Sequence, residues 1–583
     1  MRRNGILILA LGVCAIVAAI AAAGASAHHG SWQHPSRWHH HHPTPPPHHQ
    51  GTLAANADNY STGHQATFAV EGPQGILAND HGESPTIVGN TEPLHGSLEL
   101  EDDGGFTYTP EAGFSGTDSF EYTIADAVHL YKTDLPPQGN YGGVQLTGGS
   151  FGSSDYPVPG HPNEVFGLED RGPNVESADG FAVEPKPSYD PGIARFILTE
   201  GEAELVEEIP LKDRTGHPFS GLVNSNNPTG EKVENLKGVE LAHDPDGYDP
   251  EGLVAMPDGT FWVSDEYGPY ITHFTAQGKE IQRLAPFAEP ANPDSLDVLP
   301  AELKNRVPNR GMEGLTITPD GHTLVGMMQS SLQQPDLPVV EGKPVDAKKD
   351  TPTRIVTYNL YTHQVHEYLF LLDEPGPLKT ANSEITALSN NTFLIDERDS
   401  GFPSATGYKK LWEVNLEGAT DVGPKAKVTG AVYKGAEGGL LIGGKTIETT
   451  LYGQKTAEAK ETLEKDHITP VSSTLYLDVD KLLTELNPTN AFYDHDKVEG
   501  VAALEGGKRL IISNDNDFGI SGVKGVLNAE NKEVGPWTLI PKIQPSTGKQ
   551  DEGGYLEINM SALQALPTLT STATVTINVN EAH

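Results

Sequence analysis

A chain of 583 residues with a formal charge of −41 is long enough for more than one domain, and it lacks the basic surface that a polyphosphate duplex requires, which excludes nucleic acid as a partner. Its 63 glycines, 45 prolines and many short β-branched runs point to turn-rich β structure rather than a helical bundle. The single cysteine, Cys14, lies in an N-terminal leader, so the mature chain has no thiol for a disulfide, a nucleophile or a zinc site.

That leader consists of Arg2 and Arg3, an apolar run from Ile6 to Ala23 and the small residues Ala25-Ser26-Ala27. Over residues 1–27 it reads as a signal peptide, which predicts a secreted, extracellular or cell-surface protein with no membrane contact after cleavage. An uncleaved anchor is the alternative, because the run is near the minimum of about 18 residues for spanning. Residues 28–52 are His, Pro, Ser and Gly with almost no aliphatic residue, the composition of a disordered linker. Its run from His39 to His42 could chelate a transition metal or serve only as tether.

Residues 53–128 form a small β unit of alternating strands separated by Gly and Asp turns. Its phrases are Ala57-Asp58-Asn59-Tyr60, Gly75-Ile76-Leu77-Ala78-Asn79-Asp80, His95-Gly96-Ser97-Leu98, Gly105-Phe106-Thr107-Tyr108-Thr109-Pro110 and Gly113-Phe114 through Tyr122. In this order they resemble the bacterial Ig-like (cadherin-like) domains of secreted and surface proteins. Such units usually finish with a Thr/Val-rich strand, and the matching stretch lies at the far end of the chain, over 572–580. The large middle region is then expected as an insertion in the small domain; the alternative is a free C-terminal strand that completes a propeller blade.

The middle region, 131–566, repeats one sentence. Glu251-Gly252 opens a strand that turns at Pro257-Asp258-Gly259 and returns to Asp265-Glu266. Copies run from Glu313 through Pro319-Asp320-Gly321 to Gln329-Ser330, from Glu384 to Asp396-Glu397-Arg398, and from Glu499-Gly500 to Asn514-Asp515-Asn516. A degenerate first copy runs from Gly148 to Glu169-Asp170-Arg171-Gly172-Pro173. Self-similarity at a roughly constant spacing predicts a propeller. These phrases, with Phe166-Gly167-Leu168 and Met312-Glu313-Gly314-Leu315, resemble those of the phytase-like family, described as having esterase-like activity. The resemblance implies a secreted β-propeller and a hydrolase. The expected fold is all-β, a propeller of six or seven blades with a small Ig-like sandwich, and residues 435–470 read as a local insertion between blades with a helix from Thr456 to Lys465.

In a propeller the innermost strands converge on one channel, so Glu251, Glu313, Glu384 and Glu499 would face each other as a ring of carboxylates. Two unit charges at roughly 4 Å repel by on the order of 4 kcal/mol at an effective dielectric near 20, so such a ring either holds protons or binds a cation. Oxygen ligands without cysteine, with Asp265, Asn514 and Asp515 added, suit Ca²⁺ or Mg²⁺. Each Glu could equally cap the first N–H groups of its own strand. Arg171, Arg310 and Arg398 stand beside the acids and could bind an anionic ester or simply pair with their neighbours. Glu251, Glu313 and His243 are the candidates for catalysis, and there is no Gly-x-Ser-x-Gly elbow for a serine nucleophile. The expected activity is hydrolysis of a small phosphoric or carboxylic ester. A non-catalytic cell-envelope binding protein, contacting wall polymer through the Ig-like unit, and a lactonase-like hydrolase are the alternatives.

Overall fold

The computed structural model describes residues 52–581 apart from 179, 200, 228–229 and 374. The expected leader, and all but residue 52 of the expected linker, lie outside the described residues. Among those described, no helix is long and apolar enough to cross a membrane.

The small domain packs a four-stranded sheet on a three-stranded one. The first has the order Asp58–Thr62, Thr570–Val579, Gly116–Ala125, Thr86–Asn90, and the second Phe68–Val70, Phe106–Pro110, Gly96–Leu100. The terminal strand pairs antiparallel with Gly116–Ala125 over ten residues, with Val575 opposite Phe120 and Ile577 opposite Asp118. Period-two alternation turns Val575, Ile577 and Val579 inward against Phe106, Tyr108 and Tyr122, while Thr574 and Asn578 face outward. Removing residues 570–583 is therefore expected to cost about 5 kcal/mol or more from these three side chains alone. Limited proteolysis should then cut first within residues 53–125, and cleavage starting instead in the large domain would contradict this.

Five four-stranded antiparallel units follow, the first and fifth joined edge to edge by the parallel pairing of Glu202–Pro210 with Val128–Thr133, and the second extended by a parallel fifth strand, Ser295–Asp297. The first is Ser154–Pro157, Glu164–Leu168, Gly192–Thr199 and Glu202–Pro210, and the second is Pro250–Ala255, Phe261–Asp265, Ile271–Phe274 and Glu280–Ala285. The third is Met312–Ile317, Thr323–Met328, Pro352–Asn359 and Val365–Leu371, and the fourth is Ala381–Ala387, Thr392–Arg398, Lys409–Asn415 and Ser472–Asp478. The fifth takes Lys497–Leu504, Arg509–Asp515 and Gly554–Asn559 from late in the chain, and its outermost strand, Val128–Thr133, from the beginning. Each first strand packs against the first strand of the next sheet, and the fifth returns to the first. This is a closed propeller whose last blade mixes strands from both ends of the domain, which leaves the two ends close together for the small domain to join.

The blades number five among the described residues, one per repeated hairpin, rather than the six or seven expected. The surplus length goes into insertions. One lies within the fourth blade, between its third and fourth strands and not between blades as expected, and carries the hairpin Ala431–Lys434 with Gly439–Ile442, the helix Ile447–Leu451 and the helix Thr456–Lys465. Its Leu451, Ala459 and Leu463 pack on Leu369 of the third blade. Other surplus lies in the hairpin Ile520–Leu527 with Glu533–Pro541, and in the three-stranded sheet Val175–Glu176, Ala182–Glu184 and Val233–Asn235.

The Glu-Gly pairing in the repeat has a steric cause. A Cβ on Gly252 would sit 2.4 Å from the Leu315 nitrogen, one on Gly314 2.5 Å from the Ile385 nitrogen, and one on Gly500 2.9 Å from the Asp155 nitrogen. Glycine is what lets neighbouring inner strands approach around the channel. Gly314→Ala is accordingly expected to cost about 1–3 kcal/mol by overpacking, read as a lowered Tm, and an unchanged Tm would contradict the close approach.

Candidate functional site

Each inner hairpin presents two positions to the same rim of the channel. The ladder is interrupted between Pro250 and Leu253, between Met312 and Gly314, between Asn382 and Glu384, and between Val498 and Val501. The residues left out of the pairing at these bulges, Glu251-Gly252, Glu313, Ser383 and Glu499-Gly500, are re-aimed relative to the ladder. Aligned on the ladders, Glu251, Glu313 and Glu499 are equivalent, and the ends of the second strands place Asp170, Glu266, Gln329, Arg398 and Asp515 beside them. The connections from second to third strand and from blade to blade leave from this rim and include residues 169–191, 211–249, 329–351 and 516–553.

Five carboxylates gather here in two groups that share one member. Asp170, Asp249 and Glu251 form one, and Glu251, Glu266 and Glu313 the other, with one oxygen from each residue lying within 4.8 Å of those of its group. Glu266 and Asp249 are 1% exposed, Glu313 3% and Glu251 8%. Glu313 Oε1 accepts a hydrogen bond from the Gln329 amide, and Glu266 Oε1 accepts from the Gly311 N–H at 3.2 Å. The second oxygens, Glu313 Oε2 and Glu266 Oε2, are buried with no hydrogen-bond partner. Desolvated acceptors of this kind cost about 1–3 kcal/mol each, more when charged, so the cluster is unfavourable as a set of bare anions. Burial, then Glu313, Asp249, Glu266 and Asp170, hold the Glu251 carboxyl well above the usual range. Glu313 is raised by burial and then by Glu266 and Glu499. Asp170 is raised by burial and then by Asp515, while Asp249 is pushed up to about 8 by burial against the opposing pull of Arg171. The donor set is oxygen only and fits a hard divalent cation, whose charge would satisfy the orphaned oxygens.

The remaining sequence candidates are placed differently. Glu499 is held by the Arg398 guanidinium, and Asp515 by Lys497 Nζ at 2.6 Å. Glu384 is not equivalent to the other three glutamates. It aligns with Gly252, Gly314 and Gly500, so its side chain enters the space those glycines vacate. There its carboxylate accepts from Ser154 Oγ at 2.5 Å, from the Ile385 N–H at 2.8 Å and from the Leu315 N–H at 3.2 Å. Asp265 accepts from the N–H groups of Asp249 at 2.7 Å and Gly268 at 2.6 Å, closing a turn, and Asn514 joins the Gly554 N–H to the Glu552 carbonyl. His243 directs a ring nitrogen to the Glu231 carbonyl at 3.0 Å, not to a carboxylate of the cluster.

The three arginines divide in the same way. Arg171 binds Tyr267 Oη at 3.1 Å and Asn174 Oδ1 at 3.0 Å and lies 3.6 Å from Asp249 Oδ2. Arg398 is committed to Glu499, Ser383 and Ser400. Arg310 has no side-chain ion pair or hydrogen bond among the described residues, although it directly precedes Gly311, whose N–H binds Glu266. Burial and then the Arg398 charge lower its pKa, and Lys348 is lowered by burial and then by Arg310. Two uncommitted cations thus stand beside the acids.

The sequence reading missed Asp170, Asp249, Glu266 and Lys348. Period two gives a signal for Glu266: adjacent strand residues face opposite ways, so only one of Asp265 and Glu266 can enter the channel. Asp249 carried no repeat signal, because its partner Arg171 comes from another blade.

The raised carboxyls give the apo protein a distinctive pH response. Glu169 and Asp249 are pushed up to about 8, and Asp265 and Glu499 to about 7, burial being the first cause in each. Unfolded carboxyls titrate near about 4, so between about pH 4 and 8 the folded chain binds more protons than the unfolded one, and stability rises as pH falls. In chelator, Tm is expected to climb from pH 8 to pH 5.5, and saturating calcium should flatten the rise. A Tm that falls over that interval in chelator would contradict the desolvated cluster.

A family profile described as "Phytase-like: Esterase-like activity of phytase" matches residues 148–518, and one described as "Bacterial Ig domain" matches residues 46–134. An uncharacterized secreted protein of Arthroderma benhamiae is 29% identical over 250 residues, 36% of this chain and 47% of that protein. The protein GAMETE EXPRESSED 2 of Arabidopsis thaliana is 41% identical over 83 residues, 12% of this chain and 9% of that protein. The chain therefore spans less than half the length of either relative. Among solved structures, the periplasmic gluconolactonase of Pseudomonas aeruginosa aligns at 8% identity with a TM-score of 0.26, covering 81% of this chain and 99% of that one.

Proposed function

The chain belongs to the phytase-like family described as having esterase-like activity, and from that membership and the carboxylate cluster we propose a hydrolase of phosphoric or carboxylic esters that works with Ca²⁺ or Mg²⁺. The observation that carries the reading is the pair of buried oxygens on Glu266 and Glu313 that no hydrogen-bond donor reaches, on two side chains that form one carboxylate group with Glu251. A divalent cation held by these residues would polarise an ester oxygen and offset developing negative charge.

The chain's own residues supply the rest. Arg310 offers a planar fork of donors to an anionic ester group and orients it over the acids. Lys348 adds a second positive charge. Glu251 and Glu313 would hold the cation, their carboxyls being held well above the usual range by burial and by the neighbouring acids while it is absent. Glu384, bonded across the channel to Ser154, fills the layer where three other blades carry glycine.

Export is proposed from the leader in residues 1–27, and the relative named as a secreted protein supports it. The Ig-like domain is proposed as the contact with cell-envelope polymer. The test is to assay purified protein against phytate, aryl phosphates and aryl acetates, with calcium, magnesium and chelator. Metal-dependent turnover of at least one class is expected, whereas turnover undiminished by chelator would overturn the cation's role.

A further inference from the structure

Resting on the proposed reading of Arg310 and Lys348 as the groups that receive an anionic ester, we infer that the insertion in the fourth blade, residues 431–468, is a brace that positions both cations. Its residues then set the affinity for the anion without touching it. Arg310 follows the short helix Ala301–Asn305, and Lys348 lies in the single helical turn Ala347–Lys349. Both stand on segments outside the blade strands, so the blades alone do not fix them.

Gln334, 2% exposed, is the hub of the joint. Its amide nitrogen donates to the Gly438 carbonyl and to Glu448 Oε2 of the insertion, each at 3.1 Å, and its oxygen accepts from Asn305 Nδ2 at 2.9 Å. One side chain thus ties its own segment to the insertion and to the helix before Arg310. Tyr433 donates its hydroxyl to Glu302 Oε2 at 2.6 Å on that helix, and Thr446 bonds Asp336 through its N–H at 3.0 Å and its hydroxyl at 2.7 Å. The turn that carries Lys348 is held on both sides. The Ala347 N–H donates to Gln333 Oε1, and the Gly453 N–H of the insertion donates to Asp350 Oδ1, each at 3.2 Å. The Glu448 carboxylate is in turn held by Arg354 of the third blade, whose Nε lies 3.3 Å from Glu367. Gly438 and Gly439 take φ of +105° and +94°, and a Cβ on them would sit 2.6 Å from Gln334 Oε1 and 2.5 Å from Glu302 Oε1. Only glycine lets the insertion come this close. Because buried polar groups are costly to leave unpaired, these bonds hold the two segments in one arrangement. Glu251 and Glu313, on inner strands, are placed by the blades themselves.

Gln334→Met removes the three hydrogen bonds of the hub at nearly constant volume, and Tyr433→Phe removes one bond. Hydrogen–deuterium exchange of the full chain is expected to quicken about tenfold or more over residues 301–311 and 333–350 in Gln334→Met, and by less in Tyr433→Phe, while Pro250–Ala255 and Met312–Ile317 keep the parent's rates. Inorganic phosphate, titrated by calorimetry, should bind Gln334→Met about threefold or more weaker than the parent. KM for an aryl phosphate should rise by the same factor, with kcat and the KM for a neutral aryl acetate staying within about twofold. If Gln334→Met does not fold, Tyr433→Phe carries the test in the same directions. Exchange that quickens only within residues 431–468, or a phosphate affinity equal to the parent's, would overturn the brace. Faster exchange in both segments of a protein whose parent form binds no phosphate would leave the joint standing and overturn Arg310 and Lys348 as the anion site.

Discussion

Replacing Glu313 by Gln is expected to lower kcat/KM for ester hydrolysis by about 100-fold or more, equivalent to about 2.7 kcal/mol of lost transition-state stabilisation. The side chain keeps its volume and one carbonyl oxygen, so its neighbours remain packed. What is lost is a negative charge that draws a cation into a buried group of three carboxylates. Because the carboxylate is desolvated and repelled by Glu266 and Glu499 in the apo state, the same change should leave the melting temperature in chelator unchanged or raise it. A variant with full activity would remove Glu313 from the machinery, and one with lost activity and a Tm lowered in chelator would mark it as a purely structural residue.

Arg310 gives the second large effect. A charge-assisted hydrogen bond contributes about 1.5–3 kcal/mol, so Arg310→Met should raise KM for phosphate esters about tenfold or more. For a neutral aryl acetate the change should stay within about twofold, because nothing anionic is lost from the ground state. Arg171→Met should behave differently. That guanidinium lies against Asp249, Tyr267 and Asn174, so its loss leaves a buried carboxylate without its counter-charge and should appear mainly as lowered stability. Equal KM increases on charged and neutral esters in Arg310→Met would refute a role in recognising charge.

Much of the architecture was legible because it rests on local rules. The turn at Pro257-Asp258-Gly259 places Gly259 at φ +84°, which glycine takes without strain, and Pro319-Asp320-Gly321 repeats it with Gly321 at φ +72°. Counting these hairpins gives the blades directly, whereas chain length misleads because insertions such as residues 431–468 add residues without adding inner strands. The alternation of Val575, Ile577 and Val579 with polar residues made the last strand readable as one strand of the sandwich.

The site was legible only in part. Glu251, Glu313 and Glu499 announce themselves through the glycine that follows each, and Glu384 breaks that grammar by preceding Ile385. Aligned on Leu253, Leu315, Ile385 and Val501, Glu384 moves one place and stands where the others have glycine. The acids that complete the cluster come from second strands and from Asp249, and their choice depends on which residues the bulges and the blade-to-blade packing turn inward. Arg310 beside Glu266 and Arg171 beside Asp249 are meetings between blades, which no spacing along the chain encodes.

The most direct measurement of the central claim is anomalous diffraction from crystals of the full chain soaked in Mn²⁺, with the same crystals in chelator as the reference. An anomalous peak among the carboxylates of Glu251, Glu266 and Glu313, lost in Glu313→Gln crystals, is the result expected. Crystals in which manganese occupies only surface carboxylates, and in which Glu266 and Glu313 share a proton with no ion between them, would contradict it.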